Sequence, residues 1–247
     1  DGGWPLWLTR EERHQRFIDR LSPGGGALAW WLAVALPTLL VALLFSWLCG
    51  LAGALLTLLL GGGLLLWLIG VESEFRRMDT LLVRGRMNDR DALAGSAARA
   101  FDTGPLDDGP DNERAWFNDL AGRFVLRAGD LFAVLFWVTV LGFGAALLFV
   151  LNRAWLRRHP EHSDWARSLD IALAWIPARL TALALALVGH FGMVAQAVSG
   201  RIWRLDDSRG LLTLAADAAL GGDADSDEPA FQAGVNRLEA LQELMLR

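Results

Sequence analysis

The chain reads as an all-α, polytopic membrane protein with about four transmembrane helices and cytoplasmic helical segments. Two observations lead there. Of its 247 residues 53% are hydrophobic and the mean hydropathy is +0.32, above the roughly 45–50% apolar content of ordinary soluble domains. The apolar residues are also bunched. Ala27 to Cys49, Leu51 to Gly70, Leu131 to Asn152 and Leu180 to Gly200 carry no Asp, Glu, Lys or Arg, and each approaches the roughly 20 residues that a bilayer-spanning helix needs. Buried helices of soluble folds seldom run this long without a charge. Trp30, Trp31, Trp47, Trp67, Trp137, Trp155 and Trp175 lie in or beside the runs, several near ends where indole favours the headgroup layer.

In chain order the pattern predicts a cytoplasmic N-terminal segment (1–26), a transmembrane hairpin (27–70), a cytoplasmic helical insertion (71–130), a second transmembrane helix pair (131–200) and a cytoplasmic helical C-terminal segment (201–247). All 23 basic residues are Arg, so Arg alone carries the topology signal. Segments 1–26, 71–130 and 201–247 hold most of them, against Arg153, Arg157, Arg158 and Arg167 on the other side. The positive-inside rule puts the richer set in the cytoplasm. No secretory signal is visible at Asp1-Gly2-Gly3-Trp4. The chain opens without a methionine, and Phe231, Val235, Leu238 and Met245 keep helical spacing up to the last residue. Both ends are therefore expected to be clipped.

Within 71–130, Val71, Phe75, Met78 and Leu82 repeat at helical spacing, with Glu72 and Arg76 as an i,i+4 pair, and predict an amphipathic continuation of the second span. A helix from Asn88 to Phe101 follows. "DTGPLDDGPDN" (102–112) is a loop by its Gly, Pro and Asp content. Asp111 is the expected cap of a third helix that places Trp116, Leu120 and Phe124 on one face, Asp119, Arg123 and Arg127 on another, and runs straight into the third span. Helices around Leu211–Leu220 and Phe231–Leu246 flank the acidic loop "GGDADSDEP".

Motifs for chemistry are sparse. One cysteine, Cys49, excludes an intrachain disulfide and a multi-cysteine metal site. His159 and His162, with Asp164 nearby, have a metal-like spacing but follow a loop pattern better read as solvated. Gly142-Phe143-Gly144 and Gly61-Gly62-Gly63 read as close helix packing. A chain without Lys has no GxxxxGK[ST] phosphate loop, and no hydrolase pattern is present. No metal and no cofactor are expected, and net charge −5 argues against nucleic acid. Arg76, Arg77, Arg123 and Arg127 are anion-binding candidates, with salt bridges on solvated helix faces as the heavier alternative. His190 is an ionisable group inside the fourth run.

"AWIPARLTALALALVGH" (174–190) places Arg179 two residues after Pro177 in an apolar run. Pro177 lacks an N–H and frees the carbonyl one turn back, so a kink or break is expected at 173–177. Arg179 is expected to face inward, binding freed carbonyls or an acidic neighbour (Asp170, Asp130 or Asp119), or else to anchor the helix at the interface.

The same stretch closely resembles the "IPARLTA" segment of the CobD/CbiB membrane proteins, the adenosylcobinamide-phosphate synthases, and of their relatives in the AmpE family. "WLIGVESEFRRMDTLLVRGRMNDRDAL", "NERAWFNDLAGRF", "AVLFW" (134–138) and "LDIALAWIPARL" (169–180) resemble AmpE in order and spacing over roughly Leu51 to Gly200. AmpE proteins typically begin and end with further apolar segments. The resemblance implies a multi-pass bacterial inner-membrane signalling protein of the AmpD–AmpE system, linked to muropeptide recycling and β-lactamase induction and without an enzymatic activity of its own. Its implied partners are the bilayer and a cytoplasmic muropeptide amidase or another membrane protein. Pro177, Arg179, Leu180 and Thr181 carry the motif. The alternative is a membrane amide synthase of the cobalamin type. Against it, the Asn/Thr-rich acidic segment that the synthases carry before the third span is replaced by "LAGRFVLRAGDLF" (120–132).

Overall fold

A computed structural model describes residues 10–21, 26–47, 51–69, 74–107, 109–160, 164–205, 207–221 and 229–247, without side chains at 10, 11, 51–58 and 69; among these residues every regular element is helical. The all-α expectation holds. Cys49, Val71, Glu72, Glu161 to Ser163 and most of the acidic loop 221–229 lie outside the described residues, and with them the Glu72–Arg76 pair and the His159–His162 spacing.

The chain divides into two units. The first takes the described parts of 1–71 together with Leu131–Trp175. Here α1 (Arg10–Leu21) is amphipathic, and α2 (Ala27–Trp30), a π-helical turn (Trp31–Ala35) and α3 (Leu36–Trp47) form one continuous apolar rod. The wide turn has a local cause. Pro37 cannot donate to the carbonyl of Ala33, and the Leu36 N–H reaches back to the Trp31 carbonyl, five residues away, which fits the proline ring without a break. Leu32, Leu36, Leu39, Leu40, Leu43 and Leu44 are exposed, an apolar surface that a water-solvated monomer rarely tolerates.

α4 (Leu51–Ile69) follows, and α8 (Phe143–Arg158) is the buried centre of the unit: Ala146, Phe149, Leu151, Ala154 and Trp155 are enclosed with Ile18, Trp30, Val34, Leu68 and Trp137. A Cβ on Gly144 would lie 2.9 Å from the Ala42 Cβ, and one on Gly61 2.7 Å from the Phe143 ring. Close packing therefore accounts for Gly144 and Gly61, whereas Gly62 and Gly63 meet nothing within 4 Å.

The second unit takes Glu72–Asp130 and Ile176–Arg247. α5 (Glu74–Arg86) buries Met78, Leu81 and Leu82. α6 (Arg90–Phe101) starts behind Asp89, whose carboxylate accepts the Ala92 N–H at 3.1 Å, a standard cap. α7 (Pro110–Leu141) begins one residue before the expected cap: Pro110 opens the helix, and the Glu113 N–H goes to the Gly109 carbonyl rather than to Asp111. Proline suits that position because its missing N–H would find no helical partner there. Trp116, Leu120 and Phe124 are buried on one face as expected. α11 (Ser208–Ala219) and α12 (Ala230–Leu246) match the two C-terminal helices read from the pattern. Phe231, Val235, Leu238 and Leu241 join the core of α5, α6, α7 and α11.

Two apolar runs are not single helices. The run 131–152 breaks at Gly142, which adopts φ +84° and separates α7 from α8. A positive φ is open to Gly and strained for a residue with a Cβ. The run 180–200 breaks at Gly189 and His190, between α9 (Asp164–Val188) and α10 (Phe191–Val198). A Cβ on Gly189 would lie 2.7 Å from the Ala219 carbonyl, so that turn also needs Gly. Three helical stretches are long and apolar enough to cross a membrane, Ala27–Trp47, Pro110–Leu141 and Asp164–Val188, with Leu59–Leu68 of α4 as a shorter apolar stretch.

Candidate functional site

Pro177, Arg179 and Thr181 sit on α9, which runs through the proline without ending. The expected break at 173–177 is absent. The freed carbonyl has a substitute donor: the Trp137 indole N–H donates to the Leu173 carbonyl at 3.0 Å, the acceptor that a backbone N–H at position 177 would otherwise serve. The Thr181 hydroxyl donates to the Pro177 carbonyl at 2.9 Å and is itself buried, a back-bond of the kind Thr makes inside helices.

Arg179 therefore does not serve the carbonyl freed by the proline. Its Nε donates to the Ile202 carbonyl at 3.0 Å, one terminal nitrogen to the Ser208 hydroxyl at 2.7 Å, and the other to the Arg204 carbonyl. The fork of a guanidinium presents donors in one plane and at fixed angles. That geometry lets one side chain hold three acceptors of a tight turn (199–205) and the start of α11. Asp207 lies beside it and bridges Arg201 at 2.9 Å. Of the carboxylates expected near Arg179, Asp170 pairs instead with Arg153, and Asp119 with Arg123 at 2.8 Å. His190 is an exposed residue at the start of α10, with its backbone N–H directed to the Ala219 carbonyl at 3.4 Å. It is not inside a helix.

The anion-binding candidates divide. Arg77 and Arg127 each lie 3.9 Å from the buried carboxylate of Glu74. Arg127 also donates to the Ala100 carbonyl at 2.7 Å and covers the Phe101 ring, and Arg123 donates to the Phe101 carbonyl at 3.4 Å. These last two arginines thus satisfy carbonyls left open at the C-terminus of α6, where positive charge is also favoured by the helix dipole. Arg76 is exposed, and its carbonyl accepts the Thr80 hydroxyl at 3.1 Å. A partly open cavity of about 280 Å³ lies between α7, α11 and α12, with an apolar floor including Val125, Leu214 and Leu241 and the Asp217–Arg237 pair at its rim. Outside this site Arg86 pairs with Glu239, whose hydrogen bond and then charge raise the Arg86 pKa above its ordinary value.

The first unit holds a second polar group that sequence reasoning missed. The Arg153 Nε donates to Asp170 at 2.9 Å, with both side chains mostly buried, and the guanidinium lies 4.6 Å over the Phe149 ring. Next to it the Trp30 indole donates to the Asn152 side-chain Oδ1 at 3.0 Å, and the Asn152 side-chain amide Nδ2 donates to the Ala166 main-chain carbonyl at 2.9 Å. The only available signal was that Asn152-Arg153 ends an apolar run. Among the described residues no group of three His, Cys, Asp or Glu is placed to hold a metal ion. The His159 ring packs against Trp155 at a tilt of 43°, ring centroids 4.3 Å apart.

No protein-family model, no curated protein and no solved structure matches the chain.

Proposed function

We propose that this chain is a non-enzymatic signalling protein of the bacterial inner membrane, of the AmpE type, linked to muropeptide recycling and β-lactamase induction. One observation carries the reading. The motif Pro177, Arg179, Leu180, Thr181 is used for building: the three donor contacts described for Arg179 go to Ile202, Arg204 and Ser208, and the Thr181 hydroxyl goes to the Pro177 carbonyl. A group so engaged orients a turn. The long apolar helices support the membrane setting. In this reading the bilayer is crossed by 27–47 and by the apolar parts of α7 and α9. Segments 71–130 and 201–247 face the cytoplasm, where a muropeptide amidase is the proposed partner, and 1–26 shares the side of the end of α8 through the Arg158–Asp19 pair.

Topology is tested by cysteine accessibility in a Cys49→Ser background. Position 105 should label only from the cytoplasmic side, and labelling from outside would overturn the arrangement. Function is tested by deleting the gene in its host and following β-lactamase induction by a cell-wall antibiotic: a changed induction threshold is expected. Conversion of cobyric acid and an aminopropanol donor by the purified protein would favour the amide-synthase alternative and refute the non-enzymatic reading.

A further inference from the structure

We propose that Arg201 to Leu205, the turn held by Arg179, is an interfacial anchor that lies in the headgroup layer and binds anionic phospholipid. The inference rests on the membrane reading above and adds to it a lipid chemistry and the residues that select it. All five residues of the turn are exposed, Trp203 at 81% and Leu205 at 62%. An exposed Trp with Ile202 and Leu205 beside it is poorly placed in water and well placed at a membrane boundary, where indole is enriched. Arg201, Arg204 and Arg209 are exposed in the same stretch. With Arg179 they outnumber Asp206 and Asp207, and Arg201 is shared with Asp207.

The backbone supports the same placement. The Arg201 and Ile202 N–H groups both go to the Val198 carbonyl, at 2.9 and 3.0 Å, and the Arg204 N–H goes to the Arg201 carbonyl at 3.0 Å. The Ile202 and Arg204 carbonyls are taken by Arg179. A turn with these main-chain groups paired internally is less costly to bring to a low-dielectric boundary than an open loop. Alongside, α9 exposes Ile176, Leu180, Leu183 and Leu187 at helical spacing. The exposed Arg201, Arg204 and Arg209 flank the apolar residues of the turn, a mixture that an anionic headgroup layer favours.

The test uses the full chain in lipid vesicles, Cys49→Ser, with a fluorophore on Leu205→Cys or, as a control in the exposed stripe of α3, on Leu40→Cys. Nitroxide quenchers are carried on the phosphatidylglycerol headgroup, the phosphatidylcholine headgroup, or an acyl chain. Position 205 should be quenched by headgroup nitroxides, about fivefold more efficiently on phosphatidylglycerol, the factor that one basic residue contributes at an anionic surface. Replacing Arg201, Arg204 and Arg209 by Gln should bring the two headgroups level. Equal quenching by both headgroups in the unaltered turn would overturn the proposal. So would no headgroup quenching at 205 while position 40 responds to the acyl-chain nitroxide, a result that leaves the membrane reading intact. No quenching at position 40 would overturn both.

Discussion

Each unit places one guanidinium in a largely apolar helix, and the two are satisfied by different means. Arg153 in the first unit meets a carboxylate, Asp170, with 9% and 17% of the two side chains exposed. Arg179 in the second meets two main-chain carbonyls and a hydroxyl. The first arrangement takes two charges out of water and returns their attraction, so each needs the other. The second directs its donors to the main chain and a hydroxyl, with Asp207 beside it. It fixes the path of a turn instead. The difference teaches that an arginine in an apolar helix need not mark a ligand site, and that the two arrangements fail differently.

The largest effect is expected where the buried pair is split. Asp170→Asn leaves Arg153 buried without its charge partner and should cost about 3–5 kcal/mol, read by denaturant unfolding in detergent. Arg153→Met with Asp170→Leu together should recover most of that loss, because the desolvation cost disappears with both charges. If the double variant is as unstable as the single one, the pair is holding more than itself.

Next comes the carbonyl that Pro177 leaves open. Trp137→Phe keeps a ring but removes the donor to Leu173, with an expected cost of about 2 kcal/mol for a partly buried acceptor left unpaired. Pro177→Ala restores a backbone N–H to that carbonyl, so the two changes should couple: Trp137→Phe should cost far less in the Pro177→Ala background. Additive costs would contradict the assignment.

Smaller is the cost of Gly142→Ala, about 1–2 kcal/mol from the positive φ, because nothing lies within 4 Å of the added Cβ. The smallest belongs to the Arg158–Asp19 pair, with side chains 60% and 47% exposed. Asp19→Asn should change stability by less than about 1 kcal/mol, an effect that salt abolishes. It serves as the exposed counterpart to Asp170.

The helices of the second unit were legible because their apolar residues repeat at 3 to 4 positions against a polar background, as Trp116, Leu120 and Phe124 do on α7. The breaks at Gly142 and Gly189 were not, since apolar residues flank both and a glycine needed for positive φ reads the same as one needed for close packing. Packing was read correctly at Gly144 and Gly61 and wrongly at Gly62, Gly63 and Gly142. For the candidate site, the chemistry of Arg179 was legible, because a guanidinium in an apolar helix must find acceptors. Its acceptors were not: Ile202 to Ser208 lie at least 23 residues on, and only the turn at Gly189-His190 brings them back. Likewise Pro177 announced a free carbonyl without announcing Trp137, which comes from another helix.

The most direct test of Arg179 as a clamp on the turn is hydrogen–deuterium exchange of the full chain in a bilayer, with and without Arg179→Leu. Charge-assisted hydrogen bonds are worth about 1.5–3 kcal/mol each, so exchange across 199–210 should accelerate by at least about tenfold, while 112–130 of α7 keeps its protection. Unchanged exchange across 199–210 would contradict the account, and would return Arg179 to the position of a side chain available to a ligand.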